Sequence, residues 1–325
     1  MTGDPFVLGA RPTRRAFLAA LGMAAAGVAC TAAPRRPPGS PAAPGSIQAL
    51  LRGLPTASLI GSGSDAPPMV PGPNRFGFLL VDPQGRVAEG GAPEVRIARS
   101  PTSTASRPVA AVWRPFTAYD RTGDRSGRSP LPGSYVANLE IPGPGNWSVA
   151  AILRDGSRSL GGSGILPVGQ GKIPGPVGAP ATIVATPVAT TNDEIAAICT
   201  RTPVDHLHSV SLDVALRSGK PTVVCFSTPL LCESQLCGPV TDEVILAGRT
   251  FGIERANFIH VEEFLPGPGH GRPSATIANR SPGFKAWELE TEPWVFVIDR
   301  TATIRFRALG LVTAPEILGA LGSLA

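Results

Sequence analysis

Five cysteines are distributed unevenly along the 325-residue chain: Cys30 stands alone near the N-terminus, while Cys199, Cys225, Cys232 and Cys237 all fall in the C-terminal part. Cys232 and Cys237, separated by Glu233-Ser234-Gln235-Leu236, could act as nucleophile and resolving thiol, as metal ligands, or as the halves of a structural bridge, because the thiolate serves each of these chemistries. Pro239 costs roughly 3 kcal/mol inside a helix but is tolerated at its first position. Thr241, Asp242 and Glu243 suit a first turn, so a helix is expected to begin near Gly238 with Cys237 at its N-terminus. There the helix dipole favours the anionic sulfur, and the two acidic residues oppose it. Residues five apart in one continuous helix have Cα atoms roughly 8 to 9 Å apart, beyond the limit of roughly 7 Å for a disulfide. A bridge therefore requires Cys232 to lie in a loop. A redox-active pair, a permanent staple and unpaired thiols all remain open.

The other thiols are plainer. Cys225 sits in the apolar run Thr222 to Phe226 and reads as a buried small hydrophobe. Cys199 precedes Thr200-Arg201-Thr202-Pro203 in a loop, either free or bridged to Cys225. Four histidines, His206, His208, His260 and His270, are available as ligands. His260, beside Glu262 and Glu263, is expected to be structural or at the surface, and His206 and His208 to lie in an exposed loop.

The elements that must position these groups belong to two architectures. With 38 Gly and 36 Pro against 16% charged residues, a mainly helical chain is excluded. The 42% hydrophobic content supports a core in each of two domains. Residues 46–168 alternate short apolar runs with turn dipeptides such as Asp82-Pro83-Gln84-Gly85 and Pro142-Gly143-Pro144-Gly145, the pattern of an all-β sandwich. Tyr135 and Trp147 are expected in its core. Residues 169–192 are Pro/Gly-rich and read as an inter-domain linker. From residue 193 to 325 the pattern runs strand (Thr222 to Phe226), helix (to Phe251), strand (Phe258 to Val261), two adjacent strands (Trp294 to Ile298, Thr303 to Phe306) and a last helix (Ala314 to Leu324). The net charge of +5 comes from scattered arginines without aromatic-basic interleaving, so nucleic acid is not an expected partner.

Residues 1–30 read as an address. Thr13-Arg14-Arg15-Ala16-Phe17-Leu18 resembles a twin-arginine export signal, with Ala19 where a basic residue is usual. The apolar run after it is too short to span a bilayer. Gly27-Val28-Ala29-Cys30 resembles a lipoprotein processing box, with Gly27 replacing the usual large aliphatic. This implies lipidation at Cys30, an extracytoplasmic location on the outer face of the cytoplasmic membrane, and a disordered tether over 31–45. The four remaining cysteines are then an even set in an oxidising compartment.

Lys220-Pro221-Thr222-Val223-Val224-Cys225-Phe226, the Cys232 to Val240 segment and Thr291-Glu292-Pro293-Trp294-Val295-Phe296-Val297-Ile298-Asp299-Arg300 together resemble thioredoxin-like proteins of the bacterial cell envelope. Pro132-Gly133-Ser134-Tyr135 and Gly145-Asn146-Trp147 resemble the late strands of immunoglobulin-like domains. The thioredoxin resemblance implies an α/β fold, a cis Pro293 packed beside the thiols, and thiol-disulfide exchange with protein thiols or disulfides of the envelope, with no cofactor or resident metal. The spacing departs from it, with four residues between the cysteines where thioredoxin has two. Copper delivery of the Sco type is a rival, although Glu290 and Glu292 stand where such proteins place a histidine. A peroxiredoxin-like reading wants Thr or Ser three residues before the nucleophile. Cys232 has Pro229 there; Cys237 has Ser234 but lacks the upstream Pro. A non-catalytic envelope binding protein with a structural bridge is the remaining alternative. Oligomeric state is not legible.

Overall fold

The computed structural model describes residues 42–61, 69–116, 132–156, 158–169, 173–232, 236–266 and 274–324. The expected export signal and Cys30 lie outside these residues. The protein is a mixed α/β molecule containing two antiparallel sheets and one mixed sheet.

A short helix, α1 (Ile47–Leu51), capped by the Ser46 hydroxyl, precedes eight strands: β1 (Ser58–Gly61), β2 (Gly72–Val81), β3 (Glu94–Ala98), β4 (Val109–Ala110), β5 (Val112–Pro115), β6 (Gly133–Ile141), β7 (Gly145–Asp155) and β8 (Arg158–Val168). They form two four-stranded sheets, ordered β1-β2-β6-β5 and β4-β3-β7-β8, with every pair antiparallel. Alternate residues, Phe76, Phe78 and Leu80 from β2, Tyr135, Ala137 and Leu139 from β6, and Val149, Ala151 and Leu153 from β7, meet in one apolar core. The period-2 alternation in the sequence is thus the inward face of each strand. Tyr135 donates its hydroxyl to the Gly90 carbonyl (2.7 Å) and Trp147 its indole N–H to the Gly143 carbonyl (2.7 Å). Both aromatics satisfy their polar ends inside the core.

After α2 (Asn192–Ala196) and α3 (Leu212–Leu216) come β9 (Thr222–Phe226), α4 (Cys237–Phe251), β10 (Asn257–Val261), α5 (Pro282–Ala286), β11 (Trp294–Ile298), β12 (Ile304–Leu309) and α6 (Ala314–Gly322). The sheet order is β10-β9-β11-β12, with β10 parallel to β9 and β11 antiparallel to β9 and β12. Every residue of β9 and β11 is buried because both faces are covered. Val223, Cys225, Val295 and Val297 pack under α4 and α6; Val224, Phe226, Phe296 and Ile298 pack under α3 and the Phe284/Trp287 turn. The unbroken apolar runs in the sequence reflect this double coverage. β12 continues to Leu309, past the expected Phe306, and α6 stops at Gly322.

Within the stretch read as an inter-domain linker, residues 174–181 lie along the outer edge of β12, and Thr186 and Ala189 bond instead to Ser211 and His208. Gly178 and Ala181 donate backbone N–H bonds to Ile304 and Ala302 (both 2.8 Å), and Ile304 donates back to Ala179 (2.9 Å). Ala181 enters the sheet core. Composition reports a backbone poor in helix, not whether that backbone finds a partner; here it occupies an otherwise open sheet edge.

Residues 41–325 form one compact unit. On the sandwich, the Arg75 guanidinium grips both oxygens of Glu316 on α6 (3.0 and 3.1 Å) and the Leu311 carbonyl (2.7 Å). Leu79 and Phe116 pack with Leu236 and Leu311.

Candidate functional site

The chain leaves β9 at Phe226, turns through Thr228 to Leu231, and reaches Cys232 in a loop before α4 opens on Cys237. The two cysteines are joined as a disulfide with Cα atoms 5.9 Å apart. This satisfies the geometric condition set by the sequence, because only one member of the pair belongs to the helix. The sulfurs are not equivalent. Cys237 is fully buried, whereas Cys232 is half-buried. The Cys237 backbone N–H, one of the unpaired donors of the helix start, points at Cys232 Sγ (3.2 Å). When the bridge is open, this donor and the helix dipole favour negative charge on Cys232.

The two acidic residues expected to oppose a charge on Cys237 are engaged elsewhere. Asp242 pairs with Arg201 (2.6 Å). Glu243 is buried and accepts the Ala314 N–H at the start of α6 (2.6 Å).

Pro293 immediately precedes β11, after a cis Glu292–Pro293 bond, and its carbonyl accepts the Gly310 N–H (2.8 Å). Its neighbour Glu292 is a candidate residue whose place beside the pair sequence reasoning missed. A carboxylate oxygen of Glu292 lies within 4.8 Å of both sulfurs. Burial pushes its carboxyl well above the ordinary range, reinforced by the nearby charges of Glu263 and Glu262 and countered by a hydrogen bond with Thr228. Its Oε2 is buried without a hydrogen-bond partner among the described residues. The available signal was an acidic residue placed directly before the proline of a fully buried strand. Among the described residues, no histidine joins the pair to supply the third ligand of the copper reading. His270 lies outside them.

No family model matches the sequence, and no curated protein matches it. Among solved structures, the chain is similar to a thiol:disulfide interchange protein, a thioredoxin family protein, from Chlorobium tepidum TLS. The identity is 15%, over 43% of this chain and 97% of that chain, with a TM-score of 0.25. So slight a likeness adds no weight to the geometry of the pair.

A second group of chemically capable side chains lies apart from the disulfide. Cys199 and Cys225 are both free and buried, so the bridge between them left open by the sequence is not formed. Cys225 lies in β9 as the expected buried residue, with its sulfur 3.6 Å from Ser227 Oγ. Cys199 instead faces Asp205, His208 and His260. His208, expected in an exposed loop, is buried, as is His260, while His206 is exposed. The loop folds inward because Asp205 accepts the Leu207 N–H (3.1 Å) and the His208 carbonyl accepts the Ala189 N–H (3.0 Å).

Proposed function

We propose that this protein is a membrane-anchored, extracytoplasmic thiol-disulfide oxidoreductase working through Cys232 and Cys237. The observation that carries the reading is a bonded cysteine pair at the first residue of a helix, with Cys237 buried and Cys232 half-buried. The strand order β10-β9-β11-β12, with one parallel and two antiparallel pairings, supports a thioredoxin-like domain. The two face-to-face antiparallel sheets before it support an immunoglobulin-like sandwich.

In the reduced protein, the Cys232 thiolate attacks a substrate disulfide. A Cys232–substrate bond forms, the substrate S–S bond breaks, and the departing thiolate takes a proton. Cys237 then loses its proton, with Glu292 as the nearest acceptor, and attacks Cys232 Sγ. The intramolecular disulfide forms and the second substrate thiol leaves, so two electrons have passed to the substrate. The same steps in reverse oxidise a dithiol. Substrate docks along the edge marked by Pro293.

Anchoring through lipidated Cys30 after twin-arginine export rests on Arg14-Arg15, the apolar run and the Gly27-Val28-Ala29-Cys30 box. Among the described residues, no helix is long and apolar enough to cross a membrane. Cys30→Ala is expected to move the protein from the membrane fraction to the soluble one.

The deciding experiment is a redox titration with thiol trapping of the full-length protein. A reversible two-electron couple above about −300 mV is expected, with Cys237→Ala accumulating a mixed disulfide at Cys232. A potential below about −300 mV, with no trapped species, assigns the bridge to structure and removes the enzymatic reading.

A further inference from the structure

Cys199, Asp205, His208 and His260 are exposed by only 5%, 3%, 2% and 2%, and one ligand atom from each lies within 4.8 Å of all the others. Asp205 is the hub: its Oδ2 lies 3.3 Å from Cys199 Sγ and 2.9 Å from His260 Nδ1, and its Oδ1 lies 3.4 Å from His208 Nε2. The loop supplies three of the groups at the spacing Cys-x5-Asp-x2-His, and β10 supplies the fourth.

Hydrogen bonding alone does not complete this cluster. His208 Nε2 is buried and makes no hydrogen bond among the described residues, standing 3.4 Å from Asp205 Oδ1. Two acidic groups and two imidazoles in a closed interior must also balance their charges, either among themselves or against a bound cation. A divalent cation answers both demands. With Cys199 and Asp205 ionised and the imidazoles neutral, the charges sum to zero. The outer nitrogen of His260, Nε2, lies 3.0 Å from the Ser227 carbonyl, as expected of a metal-bound imidazole whose other N–H is held by a second-layer acceptor. One sulfur, two nitrogens and one oxygen, with no side open to solvent, match a closed tetrahedral zinc site better than the all-oxygen sets of magnesium or calcium.

Ser227 Oγ, His260 and Asp205 also stand in line at 2.9 Å and 2.9 Å. A hydrolytic role is excluded because Ser227 is fully buried and its hydroxyl is shared with Thr241 Oγ1 at 2.7 Å.

We propose that Cys199, Asp205, His208 and His260 form a structural zinc site that pins the 199–208 loop to β10. The loop in turn supports the cysteine segment. The Thr200 hydroxyl accepts the Leu230 N–H and donates to Glu262, and Arg201 grips Asp242 on α4. The proposal is independent of any exchange activity at Cys232 and Cys237.

The test uses the full-length, metal-free protein with Cys232–Cys237 kept oxidised, so that those sulfurs cannot bind metal. It is titrated with Co2+ and then Zn2+ while absorbance and elemental content are followed. Uptake of about one equivalent is expected, with a sulfur-to-cobalt charge-transfer band that zinc abolishes. Cys199→Ser should remove the band and weaken zinc binding by at least about a hundredfold, and Cys225→Ala should change neither. The proposal is overturned if the unsubstituted protein takes up no stoichiometric metal, if uptake brings no charge-transfer band, or if uptake survives Cys199→Ser. The unsubstituted protein alone gives two of these outcomes, so a variant that fails to fold does not shelter the idea.

Discussion

Two sulfurs joined by one bond meet different surroundings, and the difference assigns their roles. Cys232 is half-buried and accepts a helix-start N–H, and Cys237 is buried, so in the proposed exchange Cys232 is the sulfur a substrate meets and Cys237 acts on Cys232. Glu292 completes the arrangement as a carboxyl beside the bridge whose hold on a proton is strengthened by burial. Because its pKa is raised on folding, the folded chain binds this proton more tightly than the unfolded chain. Its ionisation therefore costs stability as pH rises above the ordinary glutamate value of 4.5, and costs nothing below it. Glu292→Gln is thus expected to raise the melting temperature by a few degrees around pH 7, with the gain vanishing as pH approaches 4.5. The same variant should slow closure of the mixed disulfide by about tenfold or more and flatten its pH profile. Equal melting temperatures for the two proteins at both pH values would show that the carboxyl is not buried as described.

At the scale of elements, the start of α4 places the cysteine pair and the edge of β12 is paired by the preceding segment. Pro239 within the first turn lets the helix begin at Cys237 and leaves Cys232 outside it, which is what allows a pair separated by four residues to close. Residues 174–181 secure β12 from the other side, and Gly175 lies against the Phe296 ring. Its φ is +49°, and an added Cβ would lie 2.6 Å from the Phe296 ring. Gly175→Ala therefore combines backbone strain with overpacking and is expected to destabilise the protein by about 2 kcal/mol in urea unfolding. A free linker would tolerate the change, so an unaltered midpoint would contradict the docked edge.

For the whole molecule, the sandwich is joined to the layer that carries the cysteines. Leu236, immediately before Cys237, packs with Leu79 and Phe116 of the sandwich, so the start of α4 is supported from outside its own sheet. Arg75 and Glu316 are 14% and 9% exposed, and removing the guanidinium leaves a largely buried carboxylate without its bidentate partner. Arg75→Ala is expected to cost about 2 to 3 kcal/mol and to split a single urea transition into two as the layers uncouple. An unchanged single transition at the same midpoint would mean that this contact does not couple them.

What the amino-acid sequence determined by itself was whatever depends on neighbours along the chain. Alternation at Phe76, Phe78 and Leu80 marked a strand with one buried face, the unbroken run at Thr222–Phe226 marked a strand buried on both, and Pro239 placed the helix start that puts Cys237 and Cys232 on opposite sides of a boundary. Tertiary structure alone decided what depends on residues far apart in number. It brought Glu292 to the sulfurs, drew His208 inward to meet His260 and Cys199, and laid the Pro/Gly-rich stretch against β12. The physical reason is that periodicity and turn chemistry are set by local backbone sterics, whereas burial of a carboxyl or an imidazole is set by which distant segment closes over it.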